Sequence, residues 1–411
     1  MEQVEIPTYF LCPISLQIMK DPVTLSTGIT YDRESIEQWL FAGKHGTCPV
    51  TRQPLPDDAE LTPNHTLRRL IQAWCTVNAS DGIERFPTPK PPVNKTQIAL
   101  LLDEAKKPLT QMSSLRKLRV IISESERNKR CVESTSGLVD FLASIVVKSS
   151  SSRGDEIDGE STAACDEALN LLHTLQISEQ GLLNLISKHG NFIESLTTIL
   201  QQSSYQSRAY AISLLKSLTG VVEASKLSSL EQELFDEVVQ VVRDQNSCHA
   251  TKAALHVLAV VCPLGRNRIK AVGAGAVPVL VEMLLEESER RVCELALVVL
   301  DRLCGCAEGR AELVRHPAGI AVVSKKIFRV SEAASERAVR VLASVSRYAA
   351  TAGVLQEMVQ VRAVCKLCLV VRGECGEKTK EKAREILRLH SSVWRSSPCL
   401  SPQFLALYPS N

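Results

Sequence analysis

The first 80 residues contain few side chains that could act as a nucleophile or as a metal ligand. These are three cysteines and two histidines: Cys12, Cys48, Cys75, His45 and His65. A structural zinc ion needs four thiolate or imidazole ligands, and zinc-binding sequences commonly place two of them in a Cys-x-x-Cys pair. Five isolated ligands cannot complete two tetrahedral sites, so a two-zinc domain is excluded. A single site of isolated ligands stays an alternative, but we predict that this region folds without metal or other cofactor.

Cys12 is the candidate thiol for a direct catalytic role. A thiolate nucleophile needs a lowered pKa, which a nearby cation or a helix N-terminus provides. The neighbours of Cys12 in sequence are apolar, namely Tyr9, Phe10, Leu11 and Ile14. Because apolar surroundings favour the neutral thiol, we expect Cys12 to be a buried structural residue rather than a nucleophile.

A β-hairpin is predicted after Cys12. Two short runs of β-branched and aromatic residues, 23–25 and 29–31, flank the sequence Ser26-Thr27-Gly28. Glycine adopts a positive φ angle without strain, so Gly28 suits the turn between the two strands.

Two helices are predicted on either side of the second Cys-Pro motif. The first begins at Asp32, a good N-cap residue, and ends at Gly43. The second begins at Asn64. Their apolar residues recur at helical spacing, as Ile36, Trp39 and Leu40 in the first helix and Leu67, Leu70, Ile71 and Trp74 in the second.

Six short motifs follow one another in a fixed order along residues 10–71. They are Cys12-Pro13-Ile14, Asp21-Pro22-Val23, Gly28 to Arg33, Trp39-Leu40, Cys48 to Arg52, and Pro63-Asn64. This order resembles the U-box, the zinc-free relative of the RING domain that recruits a ubiquitin-conjugating enzyme. The resemblance implies that Cys12, Val23 and Asp32 are structural. Without metals, the fold must be held by buried apolar residues and by hydrogen bonds and ion pairs, for which Asp21, Asp32, Arg33 and Glu34 are the candidates; the alternative for each is an ordinary cap or a solvated charge.

The resemblance also implies a binding surface and a mechanism. In the U-box family the first loop, the helix and the second loop form a shallow groove for the conjugating enzyme. The matching residues are Ile14, Leu16, Trp39 and Pro49. Arg52 matches a cation that bridges the conjugating enzyme and its linked ubiquitin, a role that suits a guanidinium with several N–H donors. Transfer would then be accelerated by orientation, with no covalent intermediate on the ligase.

The rest of the chain repeats a helical phrase. Six alanines begin the phrase at spacings of 43, 43, 42, 42 and 45 residues, and each precedes a leucine by four positions. A period of this size is typical of armadillo or HEAT repeats, which stack into a solenoid with a long protein-binding groove. The alanines are Ala168, Ala211, Ala254, Ala296, Ala338 and Ala383, and an earlier copy begins at Ser114.

These patterns predict a mainly α protein, in which a small α+β U-box domain precedes an armadillo-type α-solenoid. We assign residues 5–80 to the U-box and 81–110 to a proline-rich linker. Residues 111–395 form the armadillo-like repeats, and residues 396–411 are a C-terminal tail.

Composition limits the partners and the compartment. A net charge of +2 over 411 residues predicts no nucleic-acid partner, and the absence of a long apolar run predicts no direct membrane insertion. Fourteen scattered cysteines fit a reducing compartment. We expect a cytoplasmic protein, with the nucleus or peripheral recruitment to membranes as further options.

The combination of a U-box with armadillo repeats resembles the plant U-box ubiquitin ligases. Residues 61–71 and 82–85 are similar to the compact subgroup linked to immune and drought signalling. The family implies self-ubiquitination, chain assembly and substrate choice by the repeats. One alternative is a non-catalytic armadillo adaptor with a degenerate U-box. Another is a nuclear-import receptor, but that class repeats Trp and Asn along its groove, whereas the tryptophans here are Trp39, Trp74 and Trp394.

Two Thr-Pro dipeptides are candidate phosphorylation sites, at Thr62 and Thr88. A phosphate on Thr62 would add negative charge next to the cap of the second U-box helix, near Arg68 and Arg69 in sequence. Our hypothesis is that this modification alters self-association through the U-box or the stability of the domain.

Overall fold

The computed structural model describes residues 6–43, 45–56, 61–79, 93–151, 159–202, 204–286 and 289–395. The chain divides into two compact units, one of residues 1–142 with 174–176 and one of residues 143–173 with 177–411. Among the helices in these ranges, none is both long enough and apolar enough to cross a bilayer. The predicted C-terminal tail, 396–411, lies outside the described residues.

The N-terminal domain contains a small antiparallel sheet and two main helices. The strands are β1 (Pro22–Thr24), β2 (Thr30–Asp32) and β3 (Thr62–Pro63), in the spatial order β2-β1-β3. A 3-10 turn at Thr8–Phe10 precedes the sheet. Helix α1 (Arg33–Glu37) continues as a π-helical turn, Gln38–Ala42, and α2 (His65–Val77) ends the domain.

The predicted hairpin is confirmed. β1 and β2 pair in register, with Val23 opposite Tyr31. Gly28 has φ +81° and donates its backbone N–H to the carbonyl oxygen of Leu25 at 2.9 Å. The positive φ angle explains why glycine occupies this turn position.

The core of this domain is formed by side chains from β1, β2, both helices and both Cys-Pro loops. Val23, Tyr31 and Ile36 are fully buried in it, together with the two loop cysteines. The complete set is Phe10, Cys12, Met19, Val23, Leu25, Tyr31, Ile36, Cys48, Leu55, Leu61, Ile71 and Cys75.

Helix α2 begins as predicted but buries a different face. The Asn64 side chain accepts a hydrogen bond from the backbone N–H of Leu67 at 3.0 Å, as an N-cap should. Leu70, which we placed on the apolar face, is 54% exposed, and Cys75 is buried instead. The prediction for Leu70 is wrong because Ile71 and Cys75, four residues apart, define the stripe that meets the core.

The first described helix after α2 begins at Lys95, within the range that we assigned to the proline-rich linker. Helix α3 (Lys95–Ala105) opens with a capping box in which the side chains of Asn94 and Gln97 accept hydrogen bonds from each other's backbone N–H. Ile98 and Leu102 of this helix are buried. The repeat phrase does not identify α3, because this helix lacks the Ala–Leu pattern from which we counted the register.

The remaining helices follow a regular order. From α7 onward, each repeat consists of a long helix followed by two shorter helices. The last long helix is α22. The bounds are α4 (Pro108–Glu124), α5 (Glu126–Glu133), α6 (Leu138–Ser151), α7 (Gly159–Leu175), α8 (Glu179–Lys188), α9 (Phe192–Gln202), α10 (Tyr205–Thr219), α11 (Ala224–Leu227), α12 (Gln232–Asp244), α13 (Cys248–Val261), α14 (Asn267–Gly273), α15 (Ala276–Glu286), α16 (Arg290–Leu303), α17 (Ala307–Arg315), α18 (Gly319–Lys326), α19 (Glu332–Tyr348), α20 (Ala352–Gln360), α21 (Ala363–Arg372), α22 (Glu377–Leu389) and α23 (Ser391–Arg395).

The predicted register of the repeats is confirmed. The alanines that begin the phrase are all fully buried in the long helices, and the leucines four positions later are at most 1% exposed. Consecutive long helices from α10 to α22 pack on each other. A small side chain lets neighbouring helices approach while the leucine fills the shared core, which is how stacked repeats bury a continuous apolar layer.

Candidate functional site

The first Cys-Pro loop is closed by its own backbone. The N–H of Leu16 donates to the carbonyl oxygen of Cys12 at 2.8 Å, and the N–H of Cys12 donates to the carbonyl oxygen of Gln17 at 2.8 Å. Leu16 has φ +57°, in the left-handed region. The side chain of Leu16 is 74% exposed.

The second Cys-Pro loop has the same hydrogen-bonding pattern. The N–H of Arg52 donates to the carbonyl oxygen of Cys48 at 2.9 Å, and the N–H of Cys48 donates to the carbonyl oxygen of Gln53 at 2.9 Å. Arg52 has φ +58° and is exposed. The left-handed region costs a non-glycine residue roughly 1–2 kcal/mol. At the same position, each loop therefore has a residue with a strained backbone and an exposed side chain.

Strand β2 holds both loops. The backbone N–H of Asp32 donates to Cys12 Sγ at 3.3 Å, and the hydroxyl of Tyr31 lies 3.1 Å from Cys48 Sγ. The Tyr31 hydroxyl also accepts the backbone N–H of Val50 at 3.3 Å. Two adjacent residues of one strand thus anchor the two loops, so the loops are held side by side.

The other predicted contact residues are half-buried at the base of the loops. Ile14 and Trp39 pack against the domain core, and Pro49 is partly exposed. Trp39 Nε1 donates to the carbonyl oxygen of Thr47 at 2.8 Å. Its ring stacks on His45 with 4.2 Å between centroids. Trp39 therefore fixes the start of the second loop, a structural role that the sequence did not indicate.

The Cys48 thiol is acidic although it is buried. Burial raises its pKa, but hydrogen bonds from the hydroxyls of Thr27, Thr51 and Tyr31 outweigh burial and lower the pKa to about 6. Burial, together with the bond to Cys48, raises the pKa of the Tyr31 hydroxyl. The tyrosine therefore stays protonated, and its hydroxyl donates a hydrogen bond to the sulfur.

Cys12 is buried, as expected, and backbone hydrogen bonds shift the pKa of its thiol. Burial raises the pKa of the Cys12 thiol, and backbone N–H groups of Ser15, Asp32 and Ile14 reverse that effect and lower it. The pKa is lowered because the sulfur accepts hydrogen bonds from backbone amides, which the apolar neighbours in sequence do not indicate. Cys12 and Cys48 both act as acceptors that fix a loop to the sheet.

Asp32 precedes α1 without capping it. Its Oδ1 atom accepts the backbone N–H groups of Lys20 at 2.7 Å and Asp21 at 2.9 Å, and no side-chain cap is formed. Burial raises the pKa of the Asp32 carboxyl. The N-cap role predicted for Asp32 is therefore wrong: its carboxylate fixes the end of the first loop instead.

An ion-pair network lies beneath the first loop. Arg33 Nε lies 2.6 Å from Asp21 Oδ2, and Arg33 is also 3.8 Å from a carboxylate oxygen of Glu37. Arg68 of α2 lies 3.8 Å from the same aspartate. Glu37 is 2% exposed, and burial raises the pKa of its carboxyl. The network contains Asp21 and Arg33, as predicted. Glu34 is exposed, and the buried Glu37 supplies the carboxylate that we expected from Glu34.

One of the two candidate phosphorylation sites lies within the described residues. Thr62 is exposed on β3, opposite Thr24 of β1. Thr88 lies outside the described residues.

Comparison with known proteins assigns both parts of the chain. A family model described as "U-box domain" matches residues 6–80, and one described as "Plant U-box protein ARM repeat region" matches residues 97–409. Three similar proteins come from Arabidopsis thaliana. E3 ubiquitin-protein ligase PUB23 is 55% identical over 99% of this chain and 98% of its own length. E3 ubiquitin-protein ligase PUB22 is 51% identical over the whole of both chains, and E3 ubiquitin-protein ligase PUB24 is 39% identical over 97% of this chain and 95% of its own.

Proposed function

Because this chain belongs to the plant U-box proteins with an armadillo-repeat region, we propose that it is an E3 ubiquitin-protein ligase. The single observation that carries the proposal is the pair of matching loops. Leu16 and Arg52 stand exposed at the same loop position, one apolar and one cationic. An exposed apolar side chain and an exposed guanidinium on two loops of one domain suit a protein that must dock and then orient its partner.

The docking surface that we propose is formed by the two loops and α1. Leu16 would enter an apolar site on the conjugating enzyme, while Ile14, Trp39 and Pro49 form the shallow floor around it. Val50, which is 53% exposed, extends this surface beside Arg52 and is a contact that our sequence reasoning did not include. Its exposed apolar side chain follows directly after the Cys-Pro motif, which is the signal that could have identified it.

Arg52 is the residue that we propose to act in the transfer step. Its guanidinium would donate hydrogen bonds to the conjugating enzyme and to the linked ubiquitin together, and hold the thioester in a reactive orientation. The thioester carbon is then attacked by a substrate lysine, and the conjugating-enzyme thiolate leaves. Cys12, Cys48 and Cys75 are fully buried, which supports a mechanism without a ubiquitin thioester on the U-box.

We propose that the armadillo repeats bind the protein substrate. The stacked long helices support this, because repeat arrays present an extended surface that suits proteins and peptides. We further propose a cytoplasmic role in plant stress or immune signalling, as the resemblance to the compact subgroup implies.

Phosphorylation of Thr62 is a proposed means of regulation. The side chain is exposed on the edge strand β3, where a phosphate would meet solvent and neighbouring charge rather than the core. Thr62→Glu should change U-box self-association or domain stability, whereas Thr76→Glu, at an exposed position on α2, should not. Equal oligomer state and melting for both variants would remove this proposal.

The proposed activity is tested by incubating the purified chain with ubiquitin, an activating enzyme, ATP and a panel of conjugating enzymes. We expect ubiquitin chains to form with at least one conjugating enzyme, and Leu16→Arg to abolish them while the helical content stays unchanged. A chain that binds conjugating enzymes without stimulating transfer would favour the adaptor alternative.

A further inference from the structure

A cleft of about 480 Å³ lies beside α9 in the second unit. One wall is α9 itself, and the other is the segment from Val222 through α11 to the start of α12. The lining residues are Ile186, Gly190, Ile193, Glu194, Thr197, Thr198, Gln201, Val222, Lys226, Ser229, Leu230, Glu231, Glu233 and Leu234. Its size falls in the range of ligand-binding clefts, about 300–1,000 Å³.

A shortened helix creates this cleft. Helix α11 has four residues, whereas the helices at the same place in the other repeats, α8, α14, α17 and α20, have seven to ten. After Leu227 the chain continues as a loop, 228–231. The missing helical turns leave the adjacent surface of α9 uncovered.

The loop that forms the second wall is held in place by the next repeat. Asn267 Nδ2 donates to the carbonyl oxygen of Leu227 at 2.6 Å, and Lys270 Nζ donates to the carbonyl oxygen of Leu230. Gln232 Nε2 in turn donates to the carbonyl oxygen of Lys270 at 3.2 Å. The cleft is thus preformed, which reduces the entropy lost when a ligand binds.

The chemistry of the lining divides into an apolar floor and an acidic rim. Ile186, Val222, Leu230 and Leu234 are buried at the floor. Every charged group of the lining is exposed at the rim, and three carboxylates oppose one ammonium: Glu194, Glu231 and Glu233 against Lys226. The lining has no buried charge, and its buried hydroxyl, that of Thr197, already donates to the carbonyl oxygen of Ile193, so little is left to orient a small polar ligand.

We propose that this cleft binds a basic amphipathic segment of a partner protein. An apolar side chain of the segment enters the floor, and lysine or arginine residues beside it pair with the rim carboxylates. Burial of the apolar side chain in the floor provides most of the affinity. The acidic rim selects a positively charged segment over a negatively charged one. This site lies on α9 and α11–α12 rather than on the layer of long helices, so it goes beyond the proposed function and does not depend on ubiquitin transfer.

The test is direct binding of a fluorescein-labelled peptide of repeated Lys-Leu-Lys-Ser units to the full chain, followed by fluorescence anisotropy. Two comparison peptides replace every lysine by glutamate or every leucine by serine. The rim is reversed by Glu194→Lys with Glu231→Lys. The matched control is Glu286→Lys with Glu374→Lys, two exposed positions outside the cleft with the same change in charge.

The proposal expects the rim variant to weaken binding of the basic peptide by about tenfold or more, and the control variant to leave it within about twofold. Thr198→Trp, which fills the cleft, should also weaken binding. Ala311→Trp, at an exposed position of α17, should not. Equal loss in the rim and control variants would overturn the proposal. So would equal binding of the serine-substituted peptide, because the apolar floor would then have no role.

Discussion

Leu16 and Arg52 occupy equivalent positions in two loops that share one hydrogen-bonding pattern. Each lies four residues after a Cys-Pro cysteine, donates its N–H to that cysteine's carbonyl oxygen, and has φ near +57°. Neither residue has the conformational freedom of glycine, so the protein accepts backbone strain at both positions. We propose that this strain is retained because both exposed side chains contact the conjugating enzyme.

Leu16→Ala should weaken binding of the conjugating enzyme by about tenfold, because an exposed leucine that becomes buried in an interface contributes roughly 1–2 kcal/mol. Calorimetric titration against a chosen conjugating enzyme measures this. Leu70→Ala is the matched control, since Leu70 is 54% exposed on α2 of the same domain. If both variants bind as tightly as the wild type, the assignment of Leu16 fails.

Arg33→Ala should destabilise the U-box by about 2–3 kcal/mol, because Asp21 and Glu37 would lose their shared partner in a largely buried position. Urea unfolding followed by the fluorescence of Trp39 and Trp74 measures the change, in a Trp394→Phe background. Glu34→Ala, one position along α1 and exposed, should change stability by less than about 0.5 kcal/mol. A similar loss in both variants would contradict the network.

U-box stability should rise with pH between about 6 and 8.5, through Cys48. The folded pKa of this thiol is about 6, below the ordinary value of about 8.5 for an unfolded cysteine. Its stabilising effect is therefore complete above the unfolded pKa and lost as pH falls through the folded value. The same urea experiment at several pH values should show this rise in the wild type and a flatter profile in Cys48→Ala. Parallel profiles would show that the thiolate does not form.

Ala296→Leu should destabilise the repeat region by about 1–3 kcal/mol, because no space remains between the long helices for three more carbon atoms. Thermal unfolding followed by far-ultraviolet circular dichroism would report the loss as a lowered transition. Ala311→Leu, at an exposed position of α17, is the control and should leave the transition unchanged. A core that accepts the larger residue would contradict the close packing of the repeats.

Local signals in the sequence were sufficient for several elements. Gly28 and Asn64 were predicted correctly because a turn glycine and a helix cap depend on a few adjacent residues. The buried alanines were predicted because the repeat places the same residue at the same helical position many times.

Features that depend on residues distant in sequence were missed. Tyr31 and Cys48 are 17 residues apart, and nothing adjacent to either indicates their contact. Asp32 was assigned to a helix cap by its position, but the backbone of the preceding loop offers it two better donors. The face of α2 was misjudged because leucine at helical spacing does not reveal which stripe meets the core.

The most direct test of the account is single-turnover discharge of ubiquitin from a loaded conjugating enzyme onto free lysine, in the presence of the full chain. The wild type and Arg69→Ala, an exposed arginine of α2, should accelerate discharge equally. Arg52→Ala should lose most of the acceleration, by about tenfold or more, while it still binds the conjugating enzyme. Acceleration by Arg52→Ala equal to that of the wild type would contradict the role of Arg52, and no acceleration by the wild type with any conjugating enzyme would contradict the proposed activity.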